Sequence, residues 1–403
     1  MQIGEKPRLK VSGAEMKKLT CLENSWLAIE GDKIAAFGEM KDFPGITDWS
    51  DLQVIDATDK MVFPSWCDSH THLVYAGSRE KEFADRISGL TYEEIAKRGG
   101  GILNSAKKLA DASEEELIQT ALTRLNQILM FGTGAVEIKS GYGLSLESEL
   151  KILRVIKKLK TLSPLTIKAT FLGAHAVPSG VSKERYVEIV INEMLPRIAE
   201  EKLADYCDVF CEKNYFTKEE TIKILSAAKK LGLKGKVHAE QLTHSGGVEA
   251  GVACEAISVD HLEFANENDI QLLKNSPTMP TILPGAQWFL QLQNPPARKM
   301  IDAGLPLALA SDYNPGSSPS GNMNFMLSLA CVQYKMTPEE AIHAATLNSA
   351  YAMDLSSTHG SIAAGKQANV FVTKEIPNYA FIPYSFANNL IETVILNGKI
   401  ISR

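Results

Sequence analysis

The chain has 403 residues, a formal net charge of −6 and 22% charged residues, with no block of like charges. That length exceeds the usual single core of ~250–300 residues, so it predicts one large domain with a smaller one attached. A mildly acidic, evenly mixed surface excludes the electrostatic footprint of a nucleic-acid or anionic-membrane binder and leaves small-molecule chemistry.

The polar N-terminus lacks the apolar core of a secretion signal, and no run of 18 apolar residues occurs, so neither export nor membrane spanning is expected. Cys21, Cys67, Cys207, Cys211, Cys254 and Cys331 are scattered, several within apolar runs, which reads as reduced thiols in a cytoplasm. Cys207 and Cys211 have the spacing of half a metal site, but no second Cys/His pair at finger-like spacing accompanies them.

In chain order, residues 20–57 hold two short apolar runs around Gly31-Asp32 and predict a β-hairpin. The next run, Pro64-Ser65-Trp66-Cys67-Asp68-Ser69, delivers His70-x-His72. Strand side chains alternate faces, so these two imidazoles share one face and can aim at one ion. Residues 76–113 form an unusually long connection containing Gly99-Gly100-Gly101, and loops of that length are more often functional than idle.

Apolar runs then recur at 134–138, 167–172, 209–211, 236–238, 256–259, 278–282 and 307–310. Between them, 114–131, 146–162, 183–198, 218–231 and 323–334 carry apolar residues at helical spacing, with Ser113, Ser145, Ser182 and Thr217 as N-caps. Eight strands alternating with helices predict an α/β fold, a (β/α)8 TIM-like barrel over residues 61–355, whose reactive groups gather at the C-terminal ends of its strands. Strand-like runs return at 368–372 and 393–401, so residues 1–60 plus 356–403 are expected to combine into a small β-sandwich domain.

Five of the eight histidines, His70, His72, His175, His238 and His261, fall at predicted strand ends, and Asp312 closes the eighth strand. His343 and His359 sit in helix or loop context and His244 is expected to open a helix; all three read as structural. A lone histidine is most often a hydrogen-bonded core residue, and a lone aspartate after a strand most often a cap. Their joint placement at one barrel mouth is what points to chemistry. Three neutral imidazoles and one carboxylate hold a divalent ion with a position left for water, whose pKa then drops from ~15.7 to ~7. Asp312 can ligate and also take the proton of the attacking water. His261, off the ion, can hydrogen-bond the nucleophile or the developing oxyanion. That is hydrolysis or deamination.

The His-x-His, His, His, Asp order on such a barrel resembles the amidohydrolase superfamily. More narrowly, the chain is similar to the imidazolonepropionase family. The stretches that carry this are Asp68 to Arg79, Thr91-Tyr92-Glu93-Glu94-Ile95 through Gly99-Gly100-Gly101-Ile102, and Lys139-Ser140-Gly141-Tyr142-Gly143-Leu144. Phe171 to Pro178, His238-Ala239-Glu240-Gln241 and Ser311-Asp312-Tyr313-Asn314-Pro315-Gly316-Ser317 complete the set.

The resemblance implies a cytoplasmic homodimer that opens the ring of 4-imidazolone-5-propanoate with water, giving N-formimino-L-glutamate in histidine degradation. It implies one zinc or iron ion per subunit on His70, His72, His238 and Asp312. Substrate contacts carry over to Arg79, Tyr142, His175, Gln241, Asn314, Gly316 and Ser317, with Asp312, His261 and Gln241 as catalytic residues. Arg79 offers a planar fork for the propanoate carboxylate. In dinuclear relatives a carboxylated lysine ends the fourth strand, where this chain has Glu212-Lys213, so a single ion is expected. The other readings are a different cyclic amidine or amide hydrolase or a nucleobase deaminase of the same superfamily, or an inactive scaffold. The last predicts lost ligands, yet all four candidates are present.

Overall fold

The structure is a computed structural model and describes residues 8–90, 94 and 100–401. Of the motif residues above, Thr91, Tyr92, Glu93, Ile95 and Gly99 lie outside the described residues. β1 (Ser25–Glu30) and β2 (Lys33–Glu39) form the antiparallel hairpin expected about Gly31-Asp32. Gly31 takes φ +59°, the left-handed conformation such a turn favours in glycine.

β3 (Val62–Pro64) is followed at once by β4 (Trp66–Thr71), and the switch between them separates two sheets. β4, β5 (Thr133–Lys139), β6 (Thr166–Ala174), β7 (Tyr206–Cys211), β8 (Lys234–Ala239), β9 (Ser258–His261), β10 (Met279–Ile282) and β11 (Ala308–Leu309) pair in sequence order, every pair parallel. The eight apolar runs read from the sequence are these strands. Buried on both faces, parallel strands carry near-continuous apolar residues, and β5 and β7 are buried along their whole length.

The cylinder is sealed where its first and last strands end. The Asp312 amide donates to the His70 carbonyl at 3.0 Å and the His72 amide to the Tyr313 carbonyl at 2.9 Å. Asp68 fastens the same seam, accepting from the Ser311 amide at 2.9 Å and from its hydroxyl at 2.5 Å.

β3 pairs instead with β12 (Val370–Thr373), which continues into β13 (Ile391–Leu396) and β14 (Lys399–Ile401) as a four-stranded antiparallel sheet. Ile34 of the hairpin is buried with Val370 and Ile395 of this sheet, and Leu27, Ile29 and Phe37 pack around them. The two chain ends thus share one apolar layer outside the barrel.

Ser113, Ser145, Ser182 and Thr217 all cap as expected, each side chain accepting an amide of the first helical turn. Two helical expectations need correction. The helix over 183–198 is broken into Lys183–Ile189, a π-turn Val190–Met194 and Leu195–Glu200, because Pro196 has no N–H to offer the ladder. His244 does not open a helix. The helix is Gly247–Ala253, started by Gly246 at φ +82°, and His244 lies in the preceding turn, its Nε2 3.1 Å from Asp269 Oδ2. All six cysteines are free thiols, and among the described residues no helix is long and apolar enough to cross a membrane.

His359 ties the barrel to the outer sheet region, with Nε2 2.9 Å from Thr166 Oγ1 and Nδ1 2.7 Å from Thr358 Oγ1. Burial, reinforced by Lys366, Lys33 and Lys168, pushes its pKa down to about 4. The unfolded chain binds this proton near pH 6.5 and the folded chain only near 4. The contribution is therefore complete above pH 6.5 and is lost as pH falls toward 4, up to about 3 kcal/mol. Replacing His359 with Gln is expected to flatten the loss of stability measured by urea unfolding between pH 6.5 and 4.5. An unchanged slope would show that the proton is taken up elsewhere.

Candidate metal centre

The strand alternation that put His70 and His72 on one face brings both to the C-terminal mouth of the barrel, fully or almost fully buried. Nε2 of His70 lies 3.5 Å, and Nε2 of His72 3.6 Å, from Asp312 Oδ1. Ligand atoms about 2.0–2.1 Å from a common tetrahedral ion stand about 3.3–3.4 Å apart, close to these two separations. His238 and His261 join from β8 and β9, and one ring nitrogen from each of His70, His238 and His261 lies within 4.8 Å of the others. Among the described residues, buried Nε2 of His70 has no hydrogen-bond partner, an orphan that an ion would satisfy.

His70 and His72 are each oriented by a hydrogen bond at Nδ1, and His238 faces a carboxylate there. Nδ1–H of His70 donates to Asp260 Oδ2 at 2.7 Å, and Nδ1–H of His72 to the Ser140 carbonyl at 3.4 Å. Nδ1 of His238 stands 3.0 Å from Asp208 Oδ2. These partners fix the tautomer that leaves Nε2 of His70 and His72 available for an ion. Burial, then Lys139 and the other imidazoles, holds His70 well below the usual histidine range, and burial with His175 and His238 does the same to His72. Burial likewise takes His261 to about 4 and His175 to about 3. Neutral rings are the form that binds metal.

Asp312 adopts φ +54° and His261 φ +88°, backbone that non-glycine residues seldom take and that concentrates at working sites. The turn after Asp312 supports it. Asn314 Nδ2 donates to the Asp312 carbonyl at 2.6 Å and to Ser317 Oγ at 2.7 Å, while Ser317 Oγ donates to Asp312 Oδ2 at 3.1 Å. Asn314 Oδ1 in turn accepts from the amides of Gly316 and Ser317 at 2.7 and 2.9 Å. Asn314 and Ser317 thereby shape the aspartate from behind.

Gly316 meets the long first connection, which is not the loop expected over 76–113 but carries helices Glu80–Ile87 and Ile102–Asp111. A Cβ there would lie 2.0 Å from Arg79 Nη1, so only glycine lets the guanidinium sit against this backbone. Glu82 Oε2 accepts from Arg79 Nε at 2.8 Å and Nη2 at 2.6 Å, and Glu82 Oε1 from the Gly101 amide at 3.1 Å and Asn104 at 3.3 Å. One carboxylate thus holds Arg79 and pins the far limb of the connection.

Tyr142 and His175 line the opposite wall. The His175 ring stacks on His72 at 5.4 Å and 17°, its Nδ1–H donating to the Gly141 carbonyl at 3.0 Å, and Tyr142 packs 5.7 Å from His72. Gln241 follows β8 beside Glu240, buried, in the same mouth. The Glu212 carboxylate accepts from the amides of Lys213, Leu242 and Thr243.

Asp208, Asp260, Glu82 and Lys139 were not singled out in the sequence. A charged residue within an otherwise apolar barrel strand, as in Val259-Asp260-His261, was the available signal.

The amidohydrolase family model matches residues 61–401. A protein named imidazolonepropionase from Christiangramia forsetii is 59% identical over all of this chain and 97% of its own length. Another of that name from Flavobacterium johnsoniae is 57% identical over the same shares. The chain belongs to the imidazolonepropionase family of amidohydrolases. It is a hydrolase. The fold alone extends further: atrazine chlorohydrolase from Arthrobacter aurescens, solved with zinc and atraton, superposes with a TM-score of 0.75 at 15% identity, covering 94% of this chain and 90% of that one. A 5-methylcytosine deaminase from Klebsiella pneumoniae gives 0.72 at 18%, covering 94% of each.

Proposed function

We propose that this member of the imidazolonepropionase family hydrolyses the ring C–N bond of 4-imidazolone-5-propanoate to N-formimino-L-glutamate in histidine degradation. The observation that carries the reading is the placement of the Arg79 guanidinium against Gly316, four residues past Asp312, beside a buried histidine–aspartate cluster. A cation for a carboxylate thus stands next to a centre for hydrolysis. The full-length likeness to proteins of that name supports the substrate.

His70, His72, His238 and Asp312 would hold one zinc or iron ion, which when bound supplies a water acidic enough to attack near neutral pH. Asp312 takes the proton of that water and returns it to the ring nitrogen as the C–N bond breaks. His261 hydrogen-bonds the oxygen on which charge develops. Arg79 and Tyr142 hold the propanoate, His175 and Gln241 orient the ring, and Asn314, Gly316 and Ser317 keep Asp312 and Arg79 in register.

The test is a spectrophotometric assay with enzymatically generated imidazolonepropanoate, before and after chelation. Turnover of a neutral nucleobase with none of imidazolonepropanoate would select the deaminase reading instead. Within the proposed reaction, Arg79→Ala is expected to raise KM about 100-fold, the worth of a charge-assisted pair, with zinc content and kcat retained. An unaltered KM would remove Arg79 from carboxylate recognition.

A further inference from the structure

Below the histidines the barrel strands carry charged side chains that are 0% exposed, among them Glu137 and Lys139 on β5, Asp208 on β7, Lys236 on β8 and Asp260 on β9. Charges this deep persist only when paired, and removing one partner leaves the others uncompensated. Lys139 Nζ donates to Glu137 Oε1 at 2.6 Å and to Asp208 Oδ2 at 2.8 Å, and stands 3.7 Å from Asp260 Oδ2. The last two oxygens are the ones that face Nδ1 of His238 and of His70. One ammonium therefore sits between two carboxylates, each of which turns a different histidine, one from β8 and one from β4.

Lys236 is a natural contrast. It pairs with Glu137 and donates to the carbonyls of Ser69 at 3.0 Å and Ala352 at 3.3 Å, with neither aspartate among these partners. Both lysines fill the barrel. Only Lys139 touches the oxygens behind the rings.

We propose that Lys139 is a positioning residue for the metal centre: it braces the Asp208 and Asp260 side chains so that His238 and His70 keep their coordinating orientation. The inference rests on the reading that these two histidines are ligands. Burial alone would strip the Lys139 proton, but Asp208, Glu137 and Asp260 outweigh it and keep the group charged. Without that ammonium Asp208 loses a hydrogen bond and Asp260 a close opposite charge, and both side chains are freed to turn. An acceptor that has turned no longer orients the imidazole it faces, and that ring can rotate.

The experiment is zinc affinity by competition with a chromophoric chelator, without substrate, on the full-length chain. Lys139→Gln is expected to weaken zinc binding by about 10- to 100-fold, the usual effect of losing an outer partner of a ligand. Lys236→Gln should lower the melting temperature while leaving zinc affinity within about threefold of wild type. Equal affinities in Lys139→Gln and wild type, or equal losses in the two lysine variants, would overturn the proposal. If Lys139→Gln does not fold, Lys139→Gln/Asp260→Asn removes one charge of each sign. The proposal requires it to bind zinc more weakly than Asp260→Asn alone, because Asp208 behind His238 has also lost its brace, and equal affinities would overturn it. A wild-type chain that is fully active with no bound ion would instead fell the ligand reading underneath.

Discussion

Asp312→Asn is expected to reduce kcat by about 10³-fold or more at saturating zinc, because the amide keeps the shape of the carboxylate and loses its basicity. Asp312 Oδ1 sits 3.5 and 3.6 Å from Nε2 of His70 and His72, and Oδ2 accepts from Ser317 at 3.1 Å. One oxygen is thus placed with the imidazoles and the other is held by the following turn, the arrangement required of a group that both ligates and moves a proton. Burial pushes its carboxyl above the usual aspartate range, opposed by His261 and His238, which makes it a better base than a surface aspartate. Metal content must be measured on the same samples. A variant that holds a full complement of zinc and keeps wild-type kcat would assign the proton to another group.

Stripping the ion with a chelator is the second large effect. Turnover should fall to background and return with one equivalent of zinc or iron per chain. The same step should lower the melting temperature, since an ion present at 1,000 times its dissociation constant stabilises by about 4 kcal/mol. A requirement for two equivalents would draw His261 into coordination, given that a nitrogen of His261 lies within 4.8 Å of nitrogens of His70 and His238. Unaltered turnover in chain shown by elemental analysis to be metal-free would end the metal-dependent mechanism.

Local signals in the sequence reached far. The alternation that aligned His70 with His72, the serine and threonine caps and the eight apolar runs are rules of a few residues' range, and the structure follows them. Contacts made across the barrel were not legible. Asp208, Lys139 and Asp260 stand on three different strands and meet only when the sheet curls, so no spacing along the chain announces them. Glu82 was given no role from the sequence, yet it joins Arg79 to Gly101 across the long first connection. His244 was misplaced because helix onset there is set by left-handed Gly246 rather than by a polar cap.

The seam between the first and last strands also orders events in time. His70 and His72 leave the ribosome some 240 residues before Asp312, and the hydrogen bonds that seat them come from the amide of residue 312 and the carbonyl of residue 313. On the proposed ligand set, a nascent chain would carry these histidines long before the aspartate, and the four-ligand site would be completed only once residues 312 and 313 have been made. On that ligand set, the full site would be loaded only after the eighth strand is made, and a product truncated before it would lack the carboxylate ligand.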